Sequence, residues 1–345
     1  MNTKLKLYSD KSYILPDVPH TIMLFPFWGI SSDVMRYAIT YQKYAELGTD
    51  YFDLTTLENA DLIVAPVAWE KSIKNRELIL QLAQKASKDK PIVVFFWYPS
   101  EESVPVPHSV IFRTSFYKST QKPTEFAMPA WSDLQIGQEP LEPRTKSEIP
   151  VIGFCGYIYT RQMQNYQAGK DILRYIKDGV EKTRQKQLKR KYHIFRRKVL
   201  HKLSKSKLIK TNFIIRKQFH GNVQGEQKKM EQQEYIDNIR NSDYGLCIRG
   251  AANVSFRLYE ILYFGRIPVF INTDCVLPYD FEIDWKQYCV WIEEHELDQI
   301  DKKIREFHDN LSPEEFVELQ KKCRKLWEDY LSPHGFFANL YRHFE

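Results

Sequence analysis

Two arginines and a glutamate within residues 241–293 could together bind a phosphorylated ligand. Arg249 follows a short apolar run, and Arg257 comes soon after it. Guanidinium groups match phosphate oxygens with paired hydrogen bonds. Glu260 stands three residues after Arg257, so both side chains would share one face of a helix. A carboxylate at that position could accept two hydrogen bonds from a ribose diol.

The surrounding residues predict a strand, a glycine turn and a helix that would position these side chains. Residues 244–248 form a short apolar run typical of a buried strand. Gly250 then opens a turn in which a ligand can approach the backbone. We place the helix N-cap at Asn253 and the helix end at Gly265. The N–H groups at such a helix start favour an anion, and so does the helix dipole.

The residue types alone leave a second interpretation open for this stretch. Arg257 and Glu260 could be an ordinary surface ion pair beside a crossover turn. No feature of these side chains taken separately decides between a phosphate site and a solvated pair.

Five short blocks in this stretch carry a family resemblance. The blocks are Arg249-Gly250, Arg257-Leu258-Tyr259-Glu260, Gly265-Arg266-Ile267-Pro268-Val269, Leu277-Pro278 and Ile283-Asp284-Trp285. Their order and spacing resemble the C-terminal signature of exostosin-type glycosyltransferases, family 47. The resemblance covers about residues 235–294 and is weak elsewhere. Alpha-1,3-fucosyltransferases share a similar arrangement, so a fucosyltransferase-like enzyme that uses GDP-fucose is an alternative.

The resemblance implies both a fold and a reaction. The fold is α/β of the GT-B class, in which two Rossmann-like domains with parallel sheets face a cleft that holds a nucleotide sugar. The reaction is transfer of a hexosyl, uronosyl or pentosyl group with inversion at the sugar carbon, usually without a bound metal. The donor would be linked to UDP or GDP, the acceptor a glycan or lipid-linked glycan, and no separate cofactor is expected. The role would be polysaccharide or glycoconjugate synthesis.

In GT-B enzymes the loop after the first strand of the second domain borders the donor diphosphate. That strand is predicted at residues 149–155 here, which makes Gly156 and Arg161 candidates, although Arg161 could also be a solvated loop residue. The complete set predicted to contact the donor is Gly156, Arg161, Arg249, Gly250, Ser255, Arg257 and Glu260.

An inverting transfer also needs a base to deprotonate the acceptor hydroxyl. We expect this base in the first domain, at a strand end. Glu101 follows an apolar strand predicted at residues 91–98 and is favoured. Asp33 follows a strand predicted at residues 20–25 and is the second candidate. Either one could instead be a solvated loop carboxylate.

No metal site is predicted from the sequence. Thr273-Asp274 follows a strand but is not a pair of carboxylates one residue apart. Five cysteines without paired spacing argue against both a zinc site and a disulfide framework. We expect arginines to supply the positive charge that a metal would otherwise provide.

Strands alternate with helices along the chain, which predicts parallel sheets covered on both faces. Residues 121–150 are rich in proline and polar residues and form the predicted linker. The predicted divisions are an N-terminal acceptor-side domain at 1–148, a nucleotide-sugar-binding domain at 149–330, and a segment at 331–345 that packs back toward the first domain.

Residues 182–217 contain 15 Lys and Arg and no Asp or Glu, so the rest of the chain carries 35 basic against 44 acidic residues. Leu188, Tyr192, Phe195, Val199 and Leu203 recur at helical spacing in this segment. Such a basic amphipathic helix could lie on an anionic membrane surface. Alternatively, the stripe could pack on its own sheet. The segment has no recognised nucleic-acid-binding motif, so nucleic acid is not an expected partner.

The first twenty residues contain no apolar region of the kind found in secretion signals. The longest strongly apolar run, residues 92–98, is too short to span a bilayer. We therefore expect a cytoplasmic protein, peripheral at the inner face of a membrane if the basic helix binds lipid. A catalytically inactive protein that binds glycans or nucleotides is the alternative from another functional class.

Overall fold

The computed structural model describes residues 4–31, 38–70, 72–98, 100–132, 140–158, 180–216, 223–250 and 252–345, with the backbone alone at residues 38 and 180–191. The chain forms two compact units. Unit 1 comprises Met1–Pro140, Asp274–Ile283 and Lys325–Glu345, and unit 2 comprises Leu141–Thr273 and Asp284–Arg324. The first change of unit thus falls between Pro140 and Leu141, a little before the boundary predicted near residue 148.

Unit 1 contains a six-stranded sheet in which all neighbouring strands are parallel. Its strands are β1 (Leu5–Tyr8), β2 (Phe52–Leu54), β3 (Leu62–Val64), β4 (Ile92–Phe96), β5 (Ser109–Arg113) and β6 (Glu125–Ala127), in the order β2-β1-β3-β4-β5-β6. Every residue of β4 is buried. Val93 and Phe95 enter one core cluster, whereas Ile92, Val94 and Phe96 enter the cluster on the other face. This alternation is that of a parallel strand covered on both sides.

Unit 2 contains a five-stranded sheet that is also parallel throughout. Its strands are β7 (Val151–Tyr157), β8 (Lys210–Arg216), β9 (Tyr244–Cys247), β10 (Ile267–Asn272) and β11 (Val290–Glu293), in the order β11-β10-β9-β7-β8. The direction of winding therefore reverses between β7 and β9. In doubly wound sheets, ligands bind outside the carboxyl ends of the strands at this reversal. The two parallel α/β units confirm the predicted class of two Rossmann-like domains.

Helices separate several of the strands along the chain, as the alternating pattern predicted, and further helices follow β11. The helices are α1 (Phe25–Trp28), α2 (Ala38–Leu47), α3 (Ile73–Ala83), α4 (Val180–Ser204), α5 (Gly225–Arg240), α6 (Phe256–Tyr263), α7 (Ile300–Asp309), α8 (Pro313–Leu326) and α9 (Pro333–Ala338). The sequence Ser312-Pro313-Glu314-Glu315 predicts a helix start. The structure confirms it, because Ser312 and Glu315 exchange reciprocal side chain to backbone hydrogen bonds at the start of α8. None of the helices in the described ranges is long and apolar enough to cross a bilayer.

The predicted first strand at residues 20–25 is wrong. Ile22–Leu24 forms a 3-10 turn that leads into α1, and Met23 and Leu24 are fully buried in it. A short apolar run is equally compatible with a buried strand and a buried helical turn. The first strand is instead Leu5–Tyr8. The strand that was to deliver Asp33 therefore does not exist, and Asp33 itself lies outside the described residues.

Two further strands of unit 1 were not predicted. β2 and β6 contain three residues each, and the charged residues Asp53 and Glu125 interrupt the kind of apolar run that marks β3. β6 lies within residues 121–150, the stretch predicted to be a linker. It pairs with β5 as the edge of the sheet, so the first part of that stretch belongs to unit 1.

Candidate functional site

The candidate site of unit 2 lies at the carboxyl ends of β7 and β9, where the strand order reverses. Helix α6 packs on β9 and β10 just beyond this point. Gly245 permits that close packing, since a Cβ there would lie 2.1 Å from Ile261 Cδ1. The absence of a side chain at this strand position thus brings the start of α6 close to the strand ends.

Helix α6 begins two residues later than predicted. Ser255, not Asn253, has the extended backbone of an N-cap, and its side chain makes no capping hydrogen bond. Asn253 is buried, and its Oδ1 accepts a hydrogen bond from Thr273 Oγ1 at 2.7 Å. That contact at the end of β10 occupies the side chain that would otherwise cap the helix. The predicted helix end is confirmed, because Gly265 has a positive φ of 59° just after the last turn.

The turn between β9 and α6 is partly closed on itself. Gly250 N–H donates to the Val254 carbonyl at 3.4 Å, and Val254 N–H donates to the Ala252 carbonyl at 2.8 Å. Two of the amides predicted to face a phosphate are therefore engaged within the turn. The anion-binding capacity of this segment rests on the first turn of α6 and on the arginine side chains.

Arg257 reaches from α6 to the end of β7. Its Nη2 donates a hydrogen bond to the Cys155 carbonyl. Its Cζ lies 4.8 Å from the centre of the Phe154 ring and 4.7 Å from that of Tyr235, so the guanidinium contacts two aromatic rings. Its Nη1 is buried and has no hydrogen-bond acceptor among the described residues. A buried donor left without an acceptor costs about 1–3 kcal/mol, and more when it is charged.

Glu260 is 6% exposed and accepts a hydrogen bond from the Tyr235 hydroxyl of α5. We predicted this carboxylate to receive a ribose diol, and sequence reasoning missed Tyr235 altogether. Burial, together with charge repulsion from Glu260, raises the pKa of Tyr235 well above its usual value. The phenol therefore stays protonated and remains a donor. A carboxylate offers about four lone-pair sites, so Glu260 retains acceptor capacity for a ligand.

Arg249 is 3% exposed, and its Cζ lies 3.6 Å above the centre of the Tyr192 ring. Arg196, from the same helix α4 as Tyr192, donates to the Arg249 carbonyl at 2.9 Å and to the Ile248 carbonyl at 3.1 Å. It also donates to the Tyr157 carbonyl at 3.5 Å. Arg249, Arg257 and Arg196 thus contact the same pair of strand ends. The basic residues between the apolar positions of this helix, Arg196 among them, were predicted to lie on its solvated surface, and for Arg196 that prediction is wrong.

Burial is the main cause that lowers the pKa of Arg196, to about 10, and the positive charge of Arg257 acts in the same direction. Arg196 therefore remains protonated at neutral pH, and the two guanidinium groups are close enough to repel each other. No distinct sequence signal marks this residue, because it stands in a segment with many lysines and arginines.

The described part of the apolar stripe on α4 faces the interior of unit 2. Tyr192, Val199 and Leu203 are buried, and Phe195 is partly buried, while the Leu188 side chain lies outside the description. Helix α4 packs against β8 and α7. This burial favours the alternative in which the stripe packs on its own sheet. It argues against insertion of these side chains into a membrane leaflet.

The remaining predicted residues lie in three places. Gly156 stands near the end of β7, opposite Ile215 of β8. Arg161 lies outside the described residues. Glu101 is exposed in the loop after β4, in unit 1. Its role as a base stays a prediction.

The loop that carries Glu101 is held from beneath by Arg113. This arginine is almost fully buried and donates to the carbonyls of Ser100 and Glu102, both at 2.9 Å. It also forms a buried ion pair with Glu125 at 3.5 Å. The Glu102 carboxylate is bound by Arg76. Glu102 thus has a structural partner in α3.

Residues 139–307, slightly less than half of the chain, match the model of the Exostosin GT47 domain. Over this range the chain is similar to exostosin-type glycosyltransferases. All five residues brought together here, Arg196, Tyr235, Arg249, Arg257 and Glu260, lie inside the matched region.

Curated proteins to which the chain is similar include an exostosin and a probable glucuronosyltransferase. It is 33% identical to exostosin-1 of Drosophila melanogaster over 103 residues, which cover 30% of this chain and 13% of that protein. It is 38% identical to a probable glucuronosyltransferase of Oryza sativa subsp. japonica over 69 residues, which cover 20% of this chain and 16% of that protein. The match thus spans less than a fifth of the length of either relative.

Among solved structures, the chain is similar to an alpha-glucosyltransferase in complex with UDP. The sequence identity is 10%, the TM-score is 0.39, and the alignment covers 99% of this chain and 100% of the other. A glycosyltransferase from Rickettsia africae matches with 10% identity and a TM-score of 0.38, over 99% of this chain and 98% of the other. Likeness at this level has no bearing on the activity of the chain.

Proposed function

We propose that this chain transfers a sugar from a nucleotide-diphosphate donor to a glycan or lipid-linked glycan. The observation that carries the proposal is the buried Nη1 of Arg257, which has no acceptor among the described residues at the strand reversal of unit 2. A diphosphate oxygen would supply that acceptor and would compensate the charge of the neighbouring guanidinium groups.

The chemistry required of the donor side is stabilisation of a departing nucleoside diphosphate. Arg257 and Arg249 provide charge, and the first turn of α6 provides backbone N–H groups and a dipole of the right sign. Because arginines occupy this position, we propose that the transfer needs no bound metal. We further propose a UDP- or GDP-linked donor. The rice relative is named a probable glucuronosyltransferase, which makes a uronosyl donor the first one to test.

The acceptor side requires a base, and we propose Glu101 for this role, with Asp33 as the second candidate. Direct displacement of the diphosphate by the deprotonated acceptor hydroxyl would invert the anomeric carbon. Glu101 is favoured because it is exposed to solvent in the loop after β4.

The donor site is tested by titrating UDP, GDP and UDP-glucuronic acid into the wild type and the Arg257→Ala variant. Charge-assisted hydrogen bonds contribute about 1.5–3 kcal/mol each, so the variant should bind about tenfold to a hundredfold more weakly. Arg305→Ala is the matched control. Arg305 is a partly exposed arginine of α7 that pairs with Asp309 and does not contact the site.

Two results would count against the proposal. Wild-type protein that binds none of these three nucleotides would overturn it. A folded Arg257→Ala protein with wild-type affinity would remove Arg257 from the site, even if the nucleotide binds elsewhere.

A further inference from the structure

One arginine of α4 connects the two strand ends between which the sheet of unit 2 reverses. The Tyr157 carbonyl ends β7, and the carbonyls of Ile248 and Arg249 lie just after β9. Arg196 donates to all three, through Nη1, Nη2 and Nε respectively. Since each nitrogen of this guanidinium faces a backbone carbonyl, the group is oriented toward the protein backbone and not toward a ligand.

Burying the Arg196 guanidinium costs folding free energy. The backbone position that it fixes offers a reason for that cost. Burying a cation is unfavourable, and the Arg196 guanidinium has no carboxylate within ion-pair distance in the described ranges. The neighbouring positive charge of Arg257 adds to that cost. Hydrogen bonds to three carbonyls compensate part of it and at the same time fix the path of the chain from Ile248 to Gly250.

A second contact from α4 acts on the same segment. The Tyr192 ring lies 3.6 Å from the Arg249 guanidinium, one helical turn before Arg196. Helix α4 therefore holds Arg249 at two points, its backbone carbonyl through Arg196 and its side chain through Tyr192. An arginine stacked on a ring in this way loses much of its rotational freedom and presents its fork in one orientation.

We propose that Arg196 is a positioning residue for the donor phosphates. It holds the 248–250 segment against the end of β7, and Tyr192 orients the Arg249 side chain. The inference rests on the proposed function, since the ligand in question is the nucleoside diphosphate. It extends that function by assigning α4, the basic helix, to the construction of the donor site.

The test uses the full chain and the variants Arg196→Ala, Arg196→Lys and Tyr192→Leu. The probes are UDP and GDP, added separately, with affinity measured by calorimetry and stability by thermal unfolding. We expect Arg196→Ala to weaken nucleotide binding by about tenfold. Arg196→Lys should recover only part of this loss, because one ammonium cannot span three carbonyls. The control is Lys198→Ala, an exposed position on the same helix, which should leave affinity unchanged.

Two additional readouts distinguish positioning from a purely structural role. Amide hydrogen exchange of residues 244–258 should be faster in ligand-free Arg196→Ala than in wild type. Methylguanidinium at millimolar concentration should restore part of its nucleotide affinity. A purely structural role would lower the melting temperature, with wild-type affinity in the folded fraction and no rescue.

The outcomes separate this inference from the function on which it rests. The wild type could bind nucleotide while Arg196→Lys and Tyr192→Leu bind it with the same affinity. That result would overturn the positioning role of Arg196 and leave the proposed function standing. Failure of the wild type to bind either nucleotide would overturn the proposed function and this inference with it. If Arg196→Ala does not fold, the Lys and Leu variants decide the question by the same criteria.

Discussion

At the scale of single residues, the site depends on side chains that hold other side chains. Tyr235 illustrates this, because its ring contacts the Arg257 guanidinium and its hydroxyl donates to Glu260. The ring and the hydroxyl act on two different groups of the candidate donor site. Their contributions can therefore be separated by a substitution that removes only the hydroxyl.

Tyr235→Phe should weaken nucleotide-sugar binding by about threefold to tenfold while the ring still contacts Arg257. The physical reason is that Glu260 loses the hydrogen bond that orients it, which is worth about 1 kcal/mol or somewhat more. Tyr330→Phe is the matched control, since Tyr330 also donates to a glutamate, Glu282, but lies in unit 1. Equal affinities of both variants and the wild type would show that the Tyr235 hydroxyl has no part in donor binding.

Glu101→Gln should lower turnover by at least about a hundredfold, with little change in nucleotide affinity, because a general base typically contributes that much or more to rate. Turnover and product configuration can be followed together by NMR. Glu102→Gln is the neighbouring control, and its effect should be confined to the contact with Arg76. Full turnover in Glu101→Gln would make Asp33 the leading candidate. A product that retains the donor configuration would refute inversion.

At the scale of elements, the sequence predicted best those helix ends that are set by local capping residues. Gly265 and the pair Ser312 and Glu315 marked helix boundaries that the structure confirms, because backbone conformation and capping are local. Strands β2 and β6 were missed because each is short, includes a charged residue and depends on pairing with a neighbouring strand.

The candidate donor site shows the same division between local and distant determinants. Arg249, Arg257 and Glu260 stand in one contiguous motif and were recognised together. Arg196 and Tyr235 come from two other helices, and only the packing of α4 and α5 brings them to the strand ends.

The packing of α6 on β9 provides a prediction at this scale. Gly245→Ala should destabilise the protein by about 1–3 kcal/mol, because its new methyl group would overlap the Ile261 side chain. Urea unfolding of Gly245→Ala, Ile261→Ala and the double variant forms a thermodynamic cycle. The double variant should be less destabilised than the sum of the single ones. Additive effects would mean that α6 does not depend on this contact.

At the scale of the whole molecule, the core of unit 1 contains a titratable group. His343 lies among the rings of Phe112, Phe126, Tyr279 and Phe281, at centroid distances of 4.7–5.1 Å. Its Nδ1 is bonded to the Leu340 carbonyl. Burial lowers the pKa of His343 to about 4, from an ordinary value of 6.5. The neutral ring is therefore the folded form.

His343 should make the protein sensitive to mild acid. Its neutral form is equally available to the folded and unfolded chain above about pH 6.5, so the protein has its full stability there. Between pH 6.5 and 4 only the unfolded chain takes up this proton, and stability falls. Between pH 6.5 and 4, the free energy of unfolding of His343→Leu should fall by about 1–3 kcal/mol less than that of the wild type. His201→Gln, at an exposed position of α4, is the control for a histidine substitution.

Melting temperatures measured from pH 7.5 to 4 would test this expectation. The other histidines with a lowered pKa, His193, His308 and His334, remain in the variant, so the difference reports His343 alone. Parallel pH profiles of wild type and His343→Leu would contradict it.

Unit 1 is assembled from three separate stretches of chain, and this has a consequence for biosynthesis. Phe336 and Phe337 complete its core, where Phe337 stacks on Tyr44 at 4.2 Å. A ribosome must therefore translate all of unit 2 before it delivers the last core side chains of unit 1. The residues made first wait longest for their partners, and during that interval their apolar surface is exposed to chaperones and to other nascent chains.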